Sequence, residues 1–207
     1  QYSFQVAAVD NQGAEGPKSA ATVATPKSPQ PVLVEQSYKL AGTALIKTLS
    51  KGSLPITGGI KAALDIETGN LEADLTLADT SGRLTALGFL PVTAKIGFAP
   101  SGKTTGSLRE GSLETRSLVR IKVKEVKLFG AIPLAGGNSC QTKSLSEIKL
   151  KNTQEFFDYT VGGPIAGTFA ISDLNGCGLL NGLVSPLTAG GGNQLTPNLQ
   201  NPREWTP

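Results

Sequence analysis

From Val32 onward, apolar side chains recur at every second position, the period of a strand with one dry and one wet face. Tyr38, Leu40, Ala44 and Ile46 alternate. Ile60, Ala62, Leu64 and Ile66 alternate with Lys61, Asp65 and Glu67. After a turn at Thr68, Gly69 and Asn70, the positions Leu71, Ala73, Leu75 and Leu77 alternate with Glu72, Asp74 and Thr76. That is a hairpin with one solvated face. Leu90, Val92, Ala94, Ile96 and Phe98 form another such run. Leu118 to Lys127 reads as a long strand whose phase changes at Lys124 and Glu125, the signature of a bulge. Ile148 with Leu150, then Phe157, Tyr159 and Val161, then Ile165, Phe169 and Ile171 continue the series. Only residues 178–188 have helical spacing, and Gly182 and Pro186 limit that helix to a turn or two.

Eight to ten strands at short intervals predict an all-β chain: a sandwich, jelly roll or barrel. An antiparallel β-sandwich or jelly roll is the expectation for residues 32–199, with 200–207 as a C-terminal tail. Glycine (25) and proline (13) supply the many turns this requires. No apolar run approaches the length of a membrane-spanning helix.

Residues 1–25 have a different character. Tyr2, Phe4, Val6 and Ala8 alternate, a turn-rich stretch follows from Asp10 to Pro17, and residues 19–25 read as a returning strand. The tyrosine-led strand, the A-V-D-x-x-G turn and the closing Thr25-Pro26 resemble the last hairpin of a fibronectin type III domain. Residues 26–31 are a proline-broken linker. The stretches SYKLAGTA, ALDIETGNLEADLTL, LTALGFLPVTAKIGF, SGKTTG, GNSC and LNGCGLL resemble a secreted β-domain of high-GC Gram-positive bacteria with no assigned activity. That resemblance implies a secreted or cell-surface setting and no mechanism.

Composition excludes much chemistry. The chain has no histidine, so a Ser-His-Asp or Cys-His nucleophile and imidazole metal ligands are ruled out. With no methionine, the chain is expected to start inside a longer polypeptide. Two cysteines, Cys140 and Cys177, are too few for a metal site and too far apart for a C-x-x-C redox pair. A structural disulfide is expected, with two buried free thiols as the alternative.

Several motifs invite chemistry. Gly97, Gly102, Lys103 and Thr104 spell the P-loop pattern, but glycines follow where a helix should begin, so a hairpin tip and no nucleotide are expected. Leu54, Pro55, Thr57 and Gly58 spell a sortase signal, read here as a turn because a long strand pattern follows. Asp65, Glu67, Glu72 and Asp74 face solvent with no aromatic wall to raise a pKa, which disfavours a glycosidase pair. A calcium site at Asp74 and Asp79 lacks a loop signature.

The net charge is only +3, but Arg120, Lys122 and Lys124 line one face of the long strand, and Lys149 and Lys151 extend that stripe if 148–151 is its neighbour. Such a ridge would attract an anionic polymer; the plainer reading is a solubilising strand face. Trp205, the only tryptophan, reads as an anchor onto its own domain or a neighbouring subunit. The sequence therefore points to a non-catalytic, secreted structural or adhesive module of a cell-surface or extracellular assembly. The expected partners are protein subunits of the same or a related kind, together with anionic or neutral cell-surface polysaccharide. No cofactor is expected. The alternative is an accessory carbohydrate-binding module of an extracellular polysaccharide-degrading enzyme.

Overall fold

The computed structural model describes residues 2–25 and 31–201. Trp205 and most of the 26–31 linker lie outside the described residues. The chain divides into two compact units, Gln1–Pro31 and Val32–Pro207.

The first unit is a hairpin. Strands β1 (Tyr2–Phe4) and β2 (Thr22–Ala24) pair antiparallel, with Tyr2 opposite Ala24. Main-chain bonds from Ser19 to Val6 and from Gly16 to Ala8 continue the pairing towards the tip. There the Asp10 carboxylate accepts from the amides of Gln12 and Ala14, an Asx-type turn. Those amides hold the Asp10 carboxyl below its usual range.

The second unit is all-β, as its period-two pattern predicts. Its strands are β3 (Leu33–Lys47), β4 (Ser50–Asp65), β5 (Asn70–Leu77), β6 (Thr80–Ala86), β7 (Leu90–Pro100), β8 (Thr104–Arg109), β9 (Ser112–Leu128), β10 (Ile132–Gly136), β11 (Gln141–Thr142), β12 (Ser146–Asn152), β13 (Gly162–Ile171), β14 (Leu174–Asn175) and β15 (Gly190–Gln200). The helical stretch is a 3₁₀ turn at Gly178–Leu180 followed by α1 (Asn181–Thr188), with Pro186 inside it.

The pairing is antiparallel throughout, and each long strand lies beside the next. β5 and β6 follow one another along β4, and β7 and β8 follow one another along β9. β9 pairs with β12, β12 with β13, β13 with β15, and β15 returns to β3. The sheet thus closes on itself as an up-and-down ring rather than ending in edges. Closure is tight where Gly42 meets Pro197: a Cβ on Gly42 would lie 2.4 Å from the Pro197 Cα.

Inward positions carry the core: Leu40, Ile56, Leu71, Val119, Ile165 and Leu199 are all buried. They fill the interior, leaving two apolar cavities of about 70 and 60 Å³. Eight strands enclose a space that side chains can fill, and here they do. The bulge appears where the phase predicts it. Lys124 is the extra residue of β9 opposite Lys95 and Ile96, so Val123 and Val126 both point inward.

Four local expectations change. Leu54–Gly58 are the middle of β4, with Leu54 and Ile56 buried, rather than a turn. Gly97–Thr104 is the junction where β7 gives way to β8 along the same partner strand, not a hairpin tip. Phe157 and Tyr159 are buried without forming a strand; they plug one end of the barrel from the connection between β12 and β13. Ile66 lies past the end of β4 and is exposed.

Candidate functional surface

Cys140 and Cys177 form a disulfide, and both are buried. It ties the start of β11 to the 3₁₀ turn, pinning the helical segment beside the barrel wall. The Cys140 carbonyl also accepts the Val123 amide, so the cross-link is anchored to β9.

The outer face of β9 carries Glu114, Arg116, Arg120, Lys122 and Lys124, and β12 is its direct neighbour. Lys149 lies opposite Arg116, and Lys151 opposite Glu114. The five cations expected from the sequence therefore share one wall of the barrel, but they do not act as one ridge. Lys151 pairs with Glu114 at 2.5 Å, and Lys149 with Glu147 at 3.3 Å. Glu147 also takes the Arg116 guanidinium. That contact first, and Lys149 second, holds the Glu147 carboxyl below its usual range. Arg120 donates to the carbonyls of Thr142 (2.6 Å) and Lys143 (3.3 Å). Lys124 pairs with Asp79. Lys122 faces a separate hollow of about 260 Å³ beside Asn138.

Lys149 and Lys151 line an open trough of about 530 Å³ with Arg109, Arg116, Glu114 and Thr105. Arg109 and Arg116 are additional to the five cations expected from the sequence. The parity of β9 places Arg116 on the same face as Arg120. The trough's chemistry is that of alternating fixed charges open to water, suited to an extended polar or acidic chain and held together by weak individual contacts.

The acidic hairpin is solvated. Glu72 lies opposite Ala63 and Asp74 opposite Lys61. Asp74 is paired with Lys103 at 2.5 Å, so the P-loop lysine serves as its surface counter-ion. Asp65 accepts from the Thr68 hydroxyl and from the turn amides of Glu67 and Thr68, which hold it below the usual carboxylate range. Asp79 is taken by Lys124, and among the described residues no three acidic or cysteine side chains converge as a metal site would need.

Inside the barrel, the Thr104 and Ser117 hydroxyls bond each other, and two larger polar side chains are committed to main-chain partners. Asn193, fully buried, accepts the Lys47 amide and donates to the carbonyls of Phe169 and Gly190. Tyr159 donates to the carbonyls of Val34 and Ala62, and burial pushes its phenol up to about 12. These groups hold strand ends together.

No family model matches this chain, and no curated protein or solved structure matches it either.

Proposed function

We propose that the chain is a non-catalytic, secreted structural or adhesive module that contacts protein subunits in a cell-surface or extracellular assembly such as a filament or particle. The observation that carries this reading is the N-terminal hairpin, which leaves Tyr2, Phe4 and Val6 at 61%, 57% and 74% exposure. A two-stranded hairpin is marginal in water alone. Its apolar residues gain stability when a further sheet covers them, and a neighbouring subunit can supply that sheet by strand addition, as can a longer parent chain or the β-domain that follows. The disulfide-tied barrel supports the same reading, because it supplies a rigid body with a filled interior. A disulfide also suits an oxidising compartment outside the cell. Native mass spectrometry over a range of concentrations tests the proposal: higher-order species are expected to grow with concentration, and a strict monomer at every concentration would overturn it.

The trough lined by Arg109, Arg116, Lys149 and Lys151 favours a second reading, an accessory module for an acidic polysaccharide. A glycan array containing acidic polysaccharides separates the two. Specific binding that is lost in a Lys149→Ala/Lys151→Ala variant supports the carbohydrate module, whereas assembly without glycan binding supports the structural one.

A further inference from the structure

The two ends of the barrel differ in chemistry. At one end the chain turns between β3 and β4, between β6 and β7, and between β9 and β10. The Leu87 amide donates to the Leu49 carbonyl at 2.9 Å, and the Phe129 amide to the Pro91 carbonyl at 3.0 Å, so the three turns are neighbours. They present Leu49, Leu87, Phe89, Phe129 and Ile132 to solvent, and Leu179 of the 3₁₀ turn beside β10 adds to them. Phe89 is 74% exposed and Phe129 64%.

Two of these residues are held in an unfavourable backbone region. Leu87 has φ 54° and Phe129 has φ 51°, each followed by a glycine of positive φ. Hairpin turns of this kind normally place Asn, Asp or Gly at such a position. Here large apolar side chains occupy it and stay half or more exposed. Strained backbone that displays a side chain outward marks a site whose stabilising contacts come from elsewhere.

Charge identifies the partner. Residues 43–53, 80–93, 127–139 and 176–192, which build this end, contain Lys47, Lys51, Arg83 and Lys127 and no acidic residue; Glu125, level with Lys95, is the first acid below them on β9. Among the described residues only Lys127 of these has an acidic partner, Glu125. The acids gather at the opposite end, in the turns that hold Asp65, Glu67, Glu110, Glu155 and Asp158. A two-fold pairing of the apolar ends would set lysine against lysine. Convex phenyl and leucyl tips with a cationic rim match instead the boundary between the headgroups and acyl chains of an anionic membrane, where apolar insertion and headgroup attraction add.

We infer that this end of the barrel is a docking surface for an anionic lipid bilayer, inserting Phe89 and Phe129 while Lys47, Lys51 and Arg83 meet the headgroups. This inference is independent of the hairpin-based proposal above. The test is co-sedimentation of the full chain with phosphatidylcholine vesicles, with and without phosphatidylserine, at low and high salt. Binding is expected only to the phosphatidylserine vesicles and is weakened by salt. The exposed-site variants Phe89→Ser/Phe129→Ser and Lys47→Glu/Lys51→Glu are each expected to lower the partition coefficient about tenfold or more while circular dichroism stays unchanged. Absence of binding to phosphatidylserine vesicles, or equal binding by wild type and both variants, would overturn the inference. Self-association that disappears in the Phe89→Ser/Phe129→Ser variant, without vesicle binding, would assign this end to a second copy and overturn it as well.

Discussion

The phenol of Tyr38 donates its proton to the main-chain carbonyl of Tyr159, 121 residues further along, and the two rings meet edge to face with centroids 6.0 Å apart. Tyr159 in turn caps the carbonyls of Val34 and Ala62. Two tyrosines thus join the start of β3, the end of β4 and the connection after β12, closing one end of the barrel.

This arrangement predicts an alkaline limit to stability. A free phenol ionises near pH 10, whereas Tyr159 holds its proton to about 12, because burial opposes the charged form. The raised folded value means that its contribution is fully present below about pH 10 and is lost as pH rises from there towards 12. Chemical denaturation across that range is expected to show the loss. Tyr159→Phe is expected to reduce it and to cost roughly 0.5–1.5 kcal/mol at neutral pH, the net worth of a lost hydrogen bond, because the Val34 and Ala62 carbonyls keep their β3–β4 ladder partners. An unchanged pH profile in the variant would remove Tyr159 from this role.

The Cys140–Cys177 bond closes a loop across a sequence separation of 37. Loop entropy alone gives such a bond roughly 3–4 kcal/mol. Reduction is expected to lower the unfolding free energy by that amount, and the denatured, non-reduced protein is expected to take up no alkylating reagent. Two alkylated thiols would contradict the cross-link.

Asn193 satisfies three main-chain groups while fully buried next to the β15–β3 seam. Asn193→Ala is expected to destabilise by at least about 2 kcal/mol, since each unpaired buried group carries its own desolvation cost. Loss of amide-exchange protection is expected first in β15. A neutral substitution would mean that the seam does not depend on this side chain.

Lys103 forms an exposed ion pair with Asp74. Lys103→Ala is expected to change stability by less than about 1 kcal/mol. Isothermal titration with ATP or GTP is expected to show no heat of binding in the wild type. A measurable affinity abolished by this change would restore the nucleotide reading of Gly97–Thr104.

The parts of this architecture legible in the sequence are those in which one strand face is uniformly apolar. β5 and β7 show this, and so does β9, whose bulge at Lys124 follows from the shift in phase between Val123 and Val126. β15 is hard to read as a strand from the sequence. Its buried positions include Asn193 and Pro197, and it opens with Gly190, Gly191 and Gly192, so hydrophobic periodicity is weak in the strand that closes the ring. β6 buries only Thr80, Leu84 and Ala86, so its apolar period is weak for the same reason. Phe157 and Tyr159 show period two without a ladder, because phenol-to-carbonyl bonds rather than strand pairing fix them. Of the cationic wall, the side of β9 that each residue occupies was legible. The acids that neutralise it were not, since Glu147 meets Arg116 only through the register of β12 on β9.

The proposed assembly rests on the N-terminal hairpin, and sedimentation velocity of the full chain beside a chain beginning at Val32 tests it most directly. The shorter chain is expected to keep its β circular dichroism, because every pairing that closes the ring lies within residues 33–200. It is expected to sediment as a monomer at concentrations where the full chain assembles. Equal assembly by both chains would contradict the role given to Tyr2, Phe4 and Val6, and unfolding of the shorter chain would contradict the independence of the barrel.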